Sequence, residues 1–582
     1  MKIGIDVGGT FTDAVVLDKG HMRAFAKRRT THGQIMDGLL AVLDAVCKDV
    51  PVEQIEKVTL STTIVTNVVI EGKEEQTDLY VIPGPGRNVE EAFPVKPIQI
   101  PGYTDHQGRV VAYFNRKEVK ALMKQEVQAG HRPAAVSAKF AIRNPSEEQA
   151  LSDLAKQSGY RLVSEGTKLS GALHFPRRTV SAYFNSAVQT TFSDFVKGVQ
   201  DALKARHIEA PLYMLKADGG SLPIGALTQM PVEAVFTGPA ASVLGMKALG
   251  GMPTSMAVAL DMGGTTTDIS LWKEGQPIRA RGGVTIRDYP SAVQSFQVES
   301  VGIGGESYVS LRKDGTWQVG PERRGPSMAL GGESPTLGDA LIVAGYADFG
   351  DKEWAWQGLT QLTVLMGTFS TNKQRVELGQ AKGQKQAVIT KQVDKDKVEQ
   401  VAKAIIEAAV DTIQEGIRRA VTRENKRAVY TVQDIVEAHR FKPESLVGVG
   451  GTAGALAPLV AKAMHISVLT PKEAPVANAI GAALAKETVQ VSLYCHTGKQ
   501  ELTVPELGLQ ESNVGIYSMA ELLAKGQGYL QDLAKQMGIQ ENLIVEVVAK
   551  EDFPVLDGGY RECRIMNLHL QGKAGVDTYV RD

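Results

Sequence analysis

Asp6-Val7-Gly8-Gly9-Thr10-Phe11-Thr12-Asp13 and Asp261-Met262-Gly263-Gly264-Thr265-Thr266-Thr267-Asp268 are one phrase written twice. Six of the eight positions are identical, and an apolar run flanks each copy on both sides. Read singly, DxGGTxTD is an ordinary glycine hairpin between two strands. Two copies in the same context, about half a chain apart, indicate a duplicated unit with a shared task.

The residue types name that task. Glycines at a hairpin tip let backbone N–H groups approach phosphate oxygens with no Cβ in the way. Threonine hydroxyls add donors. An aspartate at a strand end suits Mg2+, which takes few protein carboxylates and keeps several waters. Two such hairpins facing each other would clamp a nucleoside triphosphate and steady the charge of its γ-phosphoryl group. The residues expected to hold phosphates are Gly8, Gly9, Thr10, Thr12, Gly263, Gly264, Thr265, Thr266 and Thr267. Asp6 and Asp261 are the candidate catalytic and Mg2+-organising residues. Asp13 and Asp268 are expected to brace the hairpins through backbone hydrogen bonds.

Outward from the hairpins, strand and helix patterns alternate along the chain. QIMDGLLAVLDAVC (34–47) has helical apolar spacing, and VTLSTTIVTNVVI (58–70) reads as a buried strand running into a helix. AAVSAKFAI (134–142) is a buried strand, and Ser146 with Glu148 and Gln149 marks a helix start. Long helices are expected near 178–206 and 396–421, and 445–464 reads as strand, glycine turn, helix. Such alternation defines an α/β protein. Its third glycine element, VGVGGTAGA (447–455), offers Gly450, Gly451 and Thr452 at a helix N-terminus, where an adenosine would sit. Gly448 to Ala453 also satisfies a loose GxGxxA dinucleotide pattern. A dinucleotide fold would place it in a first βαβ unit with an acidic residue closing the next strand, and ISVLTP has none. No GxxxxGK[ST] occurs, which excludes P-loop chemistry.

Composition narrows the class. Of 582 residues 43% are apolar and 22% charged, which excludes intrinsic disorder. Lys plus Arg number 64 against 65 Asp plus Glu, so bulk charge recruits neither nucleic acid nor an anionic membrane. Three scattered cysteines exclude a disulfide scaffold and a Cys-rich metal site, and fit a reducing compartment. MKIGIDVGGT breaks any secretory apolar run with Asp6 and two glycines, and no stretch approaches the ~20 apolar residues of a membrane span. A cytoplasmic protein is expected.

The order of motifs resembles the plan of the acetate-kinase/sugar-kinase/Hsp70/actin superfamily, and within it the A-type, ATP-handling subunit of the hydantoinase/oxoprolinase family. The likeness runs from residue 1 to about 487. IGIDVGGTFTD, LSTTIVTNVVIEG, DGGSL near 218, PVEAVFTGPAASVLG (231–245), LDMGGTTTDISL, VGPERRGPSMALGGESPTLGDALIVAG (319–345), LVGVGGTAGALAPLVA and APVANAIGAALA resemble the family's blocks in order. The resemblance implies a two-lobed actin-like ATPase fold of duplicated ribonuclease-H-like domains. Its expected boundaries are 1–177, 178–488 with a helix near 474–486 returning to the first lobe, and a small C-terminal module, 489–582. It also implies ATP and Mg2+ as cofactors and phosphorylation of a carbonyl oxygen, either to open a cyclic amide or to carboxylate a ketone. A small-molecule kinase and a nucleotide-gated binding protein remain the alternatives. A B-type subunit is the implied partner, and a homodimer is compatible with the sequence.

Four residues are candidates for substrate. Glu306 in Gly302-Ile303-Gly304-Gly305-Glu306-Ser307 stands where the family has glycine. Arg323 and Arg324, beside Glu322, offer either a bidentate anion clamp or a solvated loop face. Asn67 offers a buried helix cap or a substrate contact. His439 and His465 read as helix-end or surface residues.

Overall fold

The computed structural model describes residues 1–30, 35–86, 88–130, 132–371, 393–427, 440–557 and 561–581. They fall into two compact units. Unit 1 comprises Met1–Ala248, Arg279–Phe296 and Asn478–Asp582, and unit 2 comprises Leu249–Ile278 and Gln297–Ala477. The expected boundary at 177/178 lies inside the helix Phe175–Ala205, which packs on the strand Ala134–Ala138 and so belongs to unit 1. His439 lies outside the described residues.

Each unit is built on a sheet of the same plan. In unit 1 the spatial order is Ser221–Pro223, Leu212–Leu215, Lys57–Thr62, Lys2–Val7, Phe11–Asp18, His21–Arg29. Lys2–Val7 pairs antiparallel with Phe11–Asp18 and parallel with Lys57–Thr62. In unit 2, Ala257–Met262 pairs antiparallel with Thr267–Lys273 and parallel with Ser445–Val449, which pairs parallel with Ser467–Leu469. The duplicated phrase is therefore a duplicated α/β sheet core, as the actin-like reading requires. Ile3, Ile5, Val58 and Leu60 on one face and Thr59 and Ser61 on the other are all buried, so these strands are covered on both faces. A second, four-stranded sheet in unit 1 holds Asp78–Ile82 and Ala134–Ala138.

The remaining expected elements form with small shifts: helices Ile35–Cys47, Ile64–Ile70, Ser146–Ser158, Lys395–Asn425 and Ala453–Met464. In Lys395–Asn425 the residues Val398, Val401, Ile405, Ala409, Ile413 and Ile417 form one buried stripe. Its basic C-terminal turn does more than meet the helix dipole, because Arg419 and Arg423 both bind Glu299. His465 ends Ala453–Met464 in the left-handed region at φ 57°.

The last ninety residues are not a separate appendage. They form a five-stranded antiparallel sheet, with Gln490–His496 and Arg561–Gly572 near its middle, and one helix, Met519–Gln536. Val491, Leu493, Leu530, Leu568 and Leu570 share one continuous core with Ile3, Leu60 and Phe184. Polar bonds tie the same junction. Buried Glu506 accepts the amides of Gly171 (2.9 Å) and Ser492 (3.0 Å), and Gln571 Nε2 donates to Asp218 Oδ2 at 2.8 Å. Asp218 also accepts from Lys216 and Thr488, so the DGGS turn is held from the C-terminal side.

In this sheet the Ser492 hydroxyl meets His569 Nδ1 at 2.9 Å, and burial pushes His569 down to about 4. A base whose pKa is depressed in the folded state binds fewer protons there than when unfolded. Its contribution is present above pH 6.5 and is lost as pH falls towards 4. At about 1.4 kcal/mol per unit this amounts to at most ~3 kcal/mol. Between pH 6.5 and 5 the urea midpoint of His569→Gln is expected to fall less than that of wild type, the Asp268 carboxyl, raised to about 6, titrating alike in both. An unchanged slope in the variant would exclude His569 as the acid-sensitive group.

Candidate functional site

In unit 1 the first hairpin closes with the Gly8 amide on Phe11 O at 3.0 Å, and Asp6 stands opposite Asp13 across the strand pair. The second copies it. The Gly263 amide reaches Thr266 O at 2.9 Å, and Asp261 stands opposite Asp268. A Cβ built on Gly9 meets nothing within 4 Å, so the tip presents bare backbone to open space. Gly8, Gly263, Gly264 and Thr265 are partly exposed, and Thr266 is exposed.

Not every threonine of the phrase points outward. Thr12 and Thr267 are fully buried, because side chains alternate along a strand. Thr12 shares a hydrogen bond with Thr30 (3.0 Å), whose hydroxyl donates to Gly8 O, and Thr267 donates to Ile303 O at 2.8 Å. These two hydroxyls brace the hairpins and do not face a phosphate. Thr10, also buried, accepts the Thr30 amide at its carbonyl.

Asp13 and Asp268 do brace, though through side chains. Asp13 Oδ2 takes Lys27 Nζ at 2.6 Å from the third strand, where the two residues are in register. The position facing Asp268 holds Ser300. With a serine in place of a cation, burial and then the Asp261 charge push Asp268 up to about 6, against a lowering hydrogen bond from Ser300. The two hairpins share geometry and differ in electrostatics.

Unit 2 gathers three glycine segments. The Gly305 amide donates to Gly263 O (3.1 Å) and the Glu306 amide to Gly264 O (2.6 Å). A Cβ on Gly304 would lie 2.5 Å from the backbone of Gly264 and Thr265, so only glycine fits. Gly450 (φ 97°) leaves no room either: a Cβ would lie 2.7 Å from Asp261 Oδ1. Its amide donates to Ala474 O (2.9 Å), while the Thr452 amide and hydroxyl both donate to Met262 O. Gly450 and Thr452 thus fix the turn against the second hairpin's strand. Gly451, exposed with nothing within 4 Å of its Cβ position, is the open one.

The substrate candidates separate. Glu306, 3% exposed, is bound by Arg323 Nε at 2.8 Å. Arg324 instead pairs with exposed Glu322 (2.7 Å) and stacks on Tyr308 at 3.7 Å. The two arginines therefore do not form one clamp. Asn67 is exposed within Ile64–Ile70, where Thr63 is the N-cap, so the buried-cap reading fails.

Sequence reading missed three residues. Thr30 pins the first hairpin, Gly304 seats the glycine loop, and Asn478 Nδ2 donates to Asp6 Oδ2 at 3.4 Å. Asn478 lies within APVANAIGAALA, whose small residues do signal close packing. A Cβ on Gly4 would sit 2.0 Å from Ala479 O, so the helix Ala477–Leu484 rests directly on the strand that carries Asp6.

The open tips suit phosphate, and paired carboxylates suit a hydrated Mg2+ shared with phosphate oxygens. Among the described residues no three His, Cys, Asp or Glu gather at one metal position, and a Mg2+ held this way does not require them. Among them, too, no helix is long and apolar enough to cross a membrane.

Two glycine hairpins on duplicated α/β sheets define the class, the actin-like ATPase fold. Within it the chain belongs to the hydantoinase/oxoprolinase family: the family described as Hydantoinase/oxoprolinase matches residues 178–491, and its N-terminal region matches residues 2–159. The chain is 26% identical over 391 residues to caprolactamase subunit alpha of Pseudomonas jessenii (59% of this chain, 54% of the relative). It is also 26% identical over 392 residues to the acetophenone carboxylase gamma subunit of Aromatoleum aromaticum (59% and 53%). Against 5-oxoprolinase 1 of Arabidopsis thaliana it is 25% identical over 407 residues (60% and 31%). The match spans about half the length of the first two relatives. In fold, the chain is similar to the ATP-dependent caprolactamase of Pseudomonas jessenii (TM-score 0.68, 20% identity, 98% of this chain and 87% of that one). It is similar likewise to nucleotide-free acetone carboxylase (TM-score 0.67, 15% identity, 99% and 87%).

Proposed function

We propose that this chain is the ATP-handling component of an enzyme that phosphorylates the carbonyl oxygen of a cyclic amide to drive ring opening. The observation that carries the reading is the recurrence of the hairpin in both units with the same aspartate register and the same closing hydrogen bond. The relatives support it, being ATP-dependent or amide-acting by name.

Each side chain then has a role. The tip amides around Gly8 and Gly9, and around Gly263 and Gly264 with Thr265 and Thr266, hold phosphate oxygens. In each unit the hairpin's leading aspartate, Asp6 or Asp261, would be the group to hold Mg2+, which would offset charge on the transferring phosphoryl group. Gly451 receives the adenosine side at the N-terminus of Ala453–Met464. Phosphoryl transfer breaks the bond between the γ-phosphorus and its bridging oxygen and forms one to the amide oxygen. The amide carbon becomes electrophilic, water adds to it, the ring C–N bond breaks as the nitrogen takes up a proton, and a second water hydrolyses the acyl phosphate so formed to the carboxylate and inorganic phosphate. A B-type subunit supplying the hydrolytic half agrees with the relatives' naming as alpha and gamma subunits. A second reading, ATP-dependent ketone carboxylation, is favoured by the likeness to acetone carboxylase across nearly the whole chain.

The test is phosphate release from Mg·ATP against cyclic amides, and against ketones with and without bicarbonate. One compound class should stimulate release. Asp261→Asn, which keeps the shape and removes the charge that holds the ion, should reduce the stimulated rate by about 100-fold or more. Stimulation by ketones only with bicarbonate would select the carboxylase reading. A stable phosphorylated product would select a kinase.

A further inference from the structure

The segment that leaves unit 2 and enters unit 1 begins and ends on site residues. Within unit 2, the Ala474 carbonyl accepts the Gly450 amide at 2.9 Å, at the turn expected to receive the adenosine side. Four residues later and within unit 1, Asn478 Nδ2 donates to Asp6 Oδ2 at 3.4 Å. Between them lie the single turn Ala474–Val476 and the start of the helix Ala477–Leu484. This stretch has little slack. Pro475 fixes one φ angle, and Ala479 and Ala483 are seated on Gly4, where a Cβ would lie 2.0 and 2.6 Å from their backbone atoms. Gly481 is equally close to Ala241 O, at 2.1 Å, so the helix is gripped on two sides.

We propose that Asn478 is a positioning residue for Asp6. Its amide fixes the orientation of the Asp6 carboxylate, the group that would hold Mg2+. The inference rests on the ATP reading above. It concerns no group that touches substrate: Asn478 acts through Asp6, as the partners of metal-binding carboxylates do in other sites.

The experiment measures binding of ATP to the full chain by calorimetry across a Mg2+ titration, and again in EDTA. Loss of such an outer partner reduces metal affinity by about tenfold or more. Asn478→Ala should therefore raise the Mg2+ concentration for half-maximal ATP binding by about tenfold, while the affinity in EDTA stays within about twofold of wild type. Asn478→Leu, of similar size and without a donor, should shift the midpoint by about the same factor. Thermal melting of each variant establishes that it folds. Equal losses with and without Mg2+, or an unchanged Mg2+ midpoint in both folded variants, would overturn the positioning role. A wild-type chain that binds no ATP under either condition would instead overturn the nucleotide reading, and the role of Asn478 with it.

Discussion

Gly304→Ala is expected to lower ATP affinity by about 100-fold. The added methyl would lie 2.5 Å from both the carbonyl carbon of Gly264 and the amide nitrogen of Thr265. Neither atom belongs to a flexible side chain that could swing aside. The loop must retreat from the second hairpin, which stretches the bonds from Gly305 to Gly263 O and from Glu306 to Gly264 O. Overpacking of this kind costs about 1–3 kcal/mol, and each weakened hydrogen bond about 1 kcal/mol more. At 1.4 kcal/mol per tenfold, ~3 kcal/mol of that loss at the tip gives the stated factor. Gly225→Ala is the control, since nothing lies within 4 Å of its added methyl. Calorimetric titration with Mg·ATP reads the difference. Equal affinity in the two variants would mean that the loop plays no part in shaping the tip.

The largest effect on stability is expected at Arg178. It is fully buried in unit 1 on the helix Phe175–Ala205, and donates to Ala172 O (2.6 Å) and Ala138 O (3.1 Å). Burial lowers its pKa to about 10, against the raising effect of the Glu148 and Glu506 carboxylates. Glu148 is itself fully buried and accepts the amides of Ala138 and Thr167 and the Thr167 hydroxyl. Arg178→Met roughly keeps the volume, removes a donor from each of the two carbonyls and removes the cation whose charge acts to lower the Glu148 carboxyl. Breaking a buried charge pair from one side costs about 3–5 kcal/mol. Urea unfolding at pH 7 should show that loss, and the double variant with Glu148→Gln should recover part of it. A double variant no more stable than Arg178→Met would show the two charges to be uncoupled.

The hairpins were legible because their requirements are local. DxGGTxTD, an apolar run on each side and glycine at the tip specify strand, turn and strand within about twenty residues, and the observed registers agree in both copies. What escaped notice is non-local. Lys27 pairs with Asp13 and Ser300 faces Asp268, but only the pairing with another strand brings them opposite. Asn478 meets Asp6 across 472 positions. Thr12 and Thr267 turn inward through the strand's alternation, a placement that the motif viewed as a string of donors does not convey. The pairing of Arg323 with Glu306, and of Arg324 with Glu322, follows from a loop path with no periodic signature. The C-terminal sheet looked detachable for a related reason. Its apolar alternation shows that it buries a face, and leaves open against which residues.

The composition of unit 1 from three separated segments has a consequence for how the molecule is made. A ribosome adds residues from the N-terminus at about 5–20 per second, and domains fold as their parts emerge. Unit 2 has all its residues once Ala477 is out. The first hairpin is translated before the second, yet the helix that rests on Gly4, the amide on Asp6 and the strands that complete its core come only from residue 477 onward. A nascent chain arrested before Asn478 would carry a complete second hairpin and a first one still lacking its support. The hairpin made first is thus the one completed last.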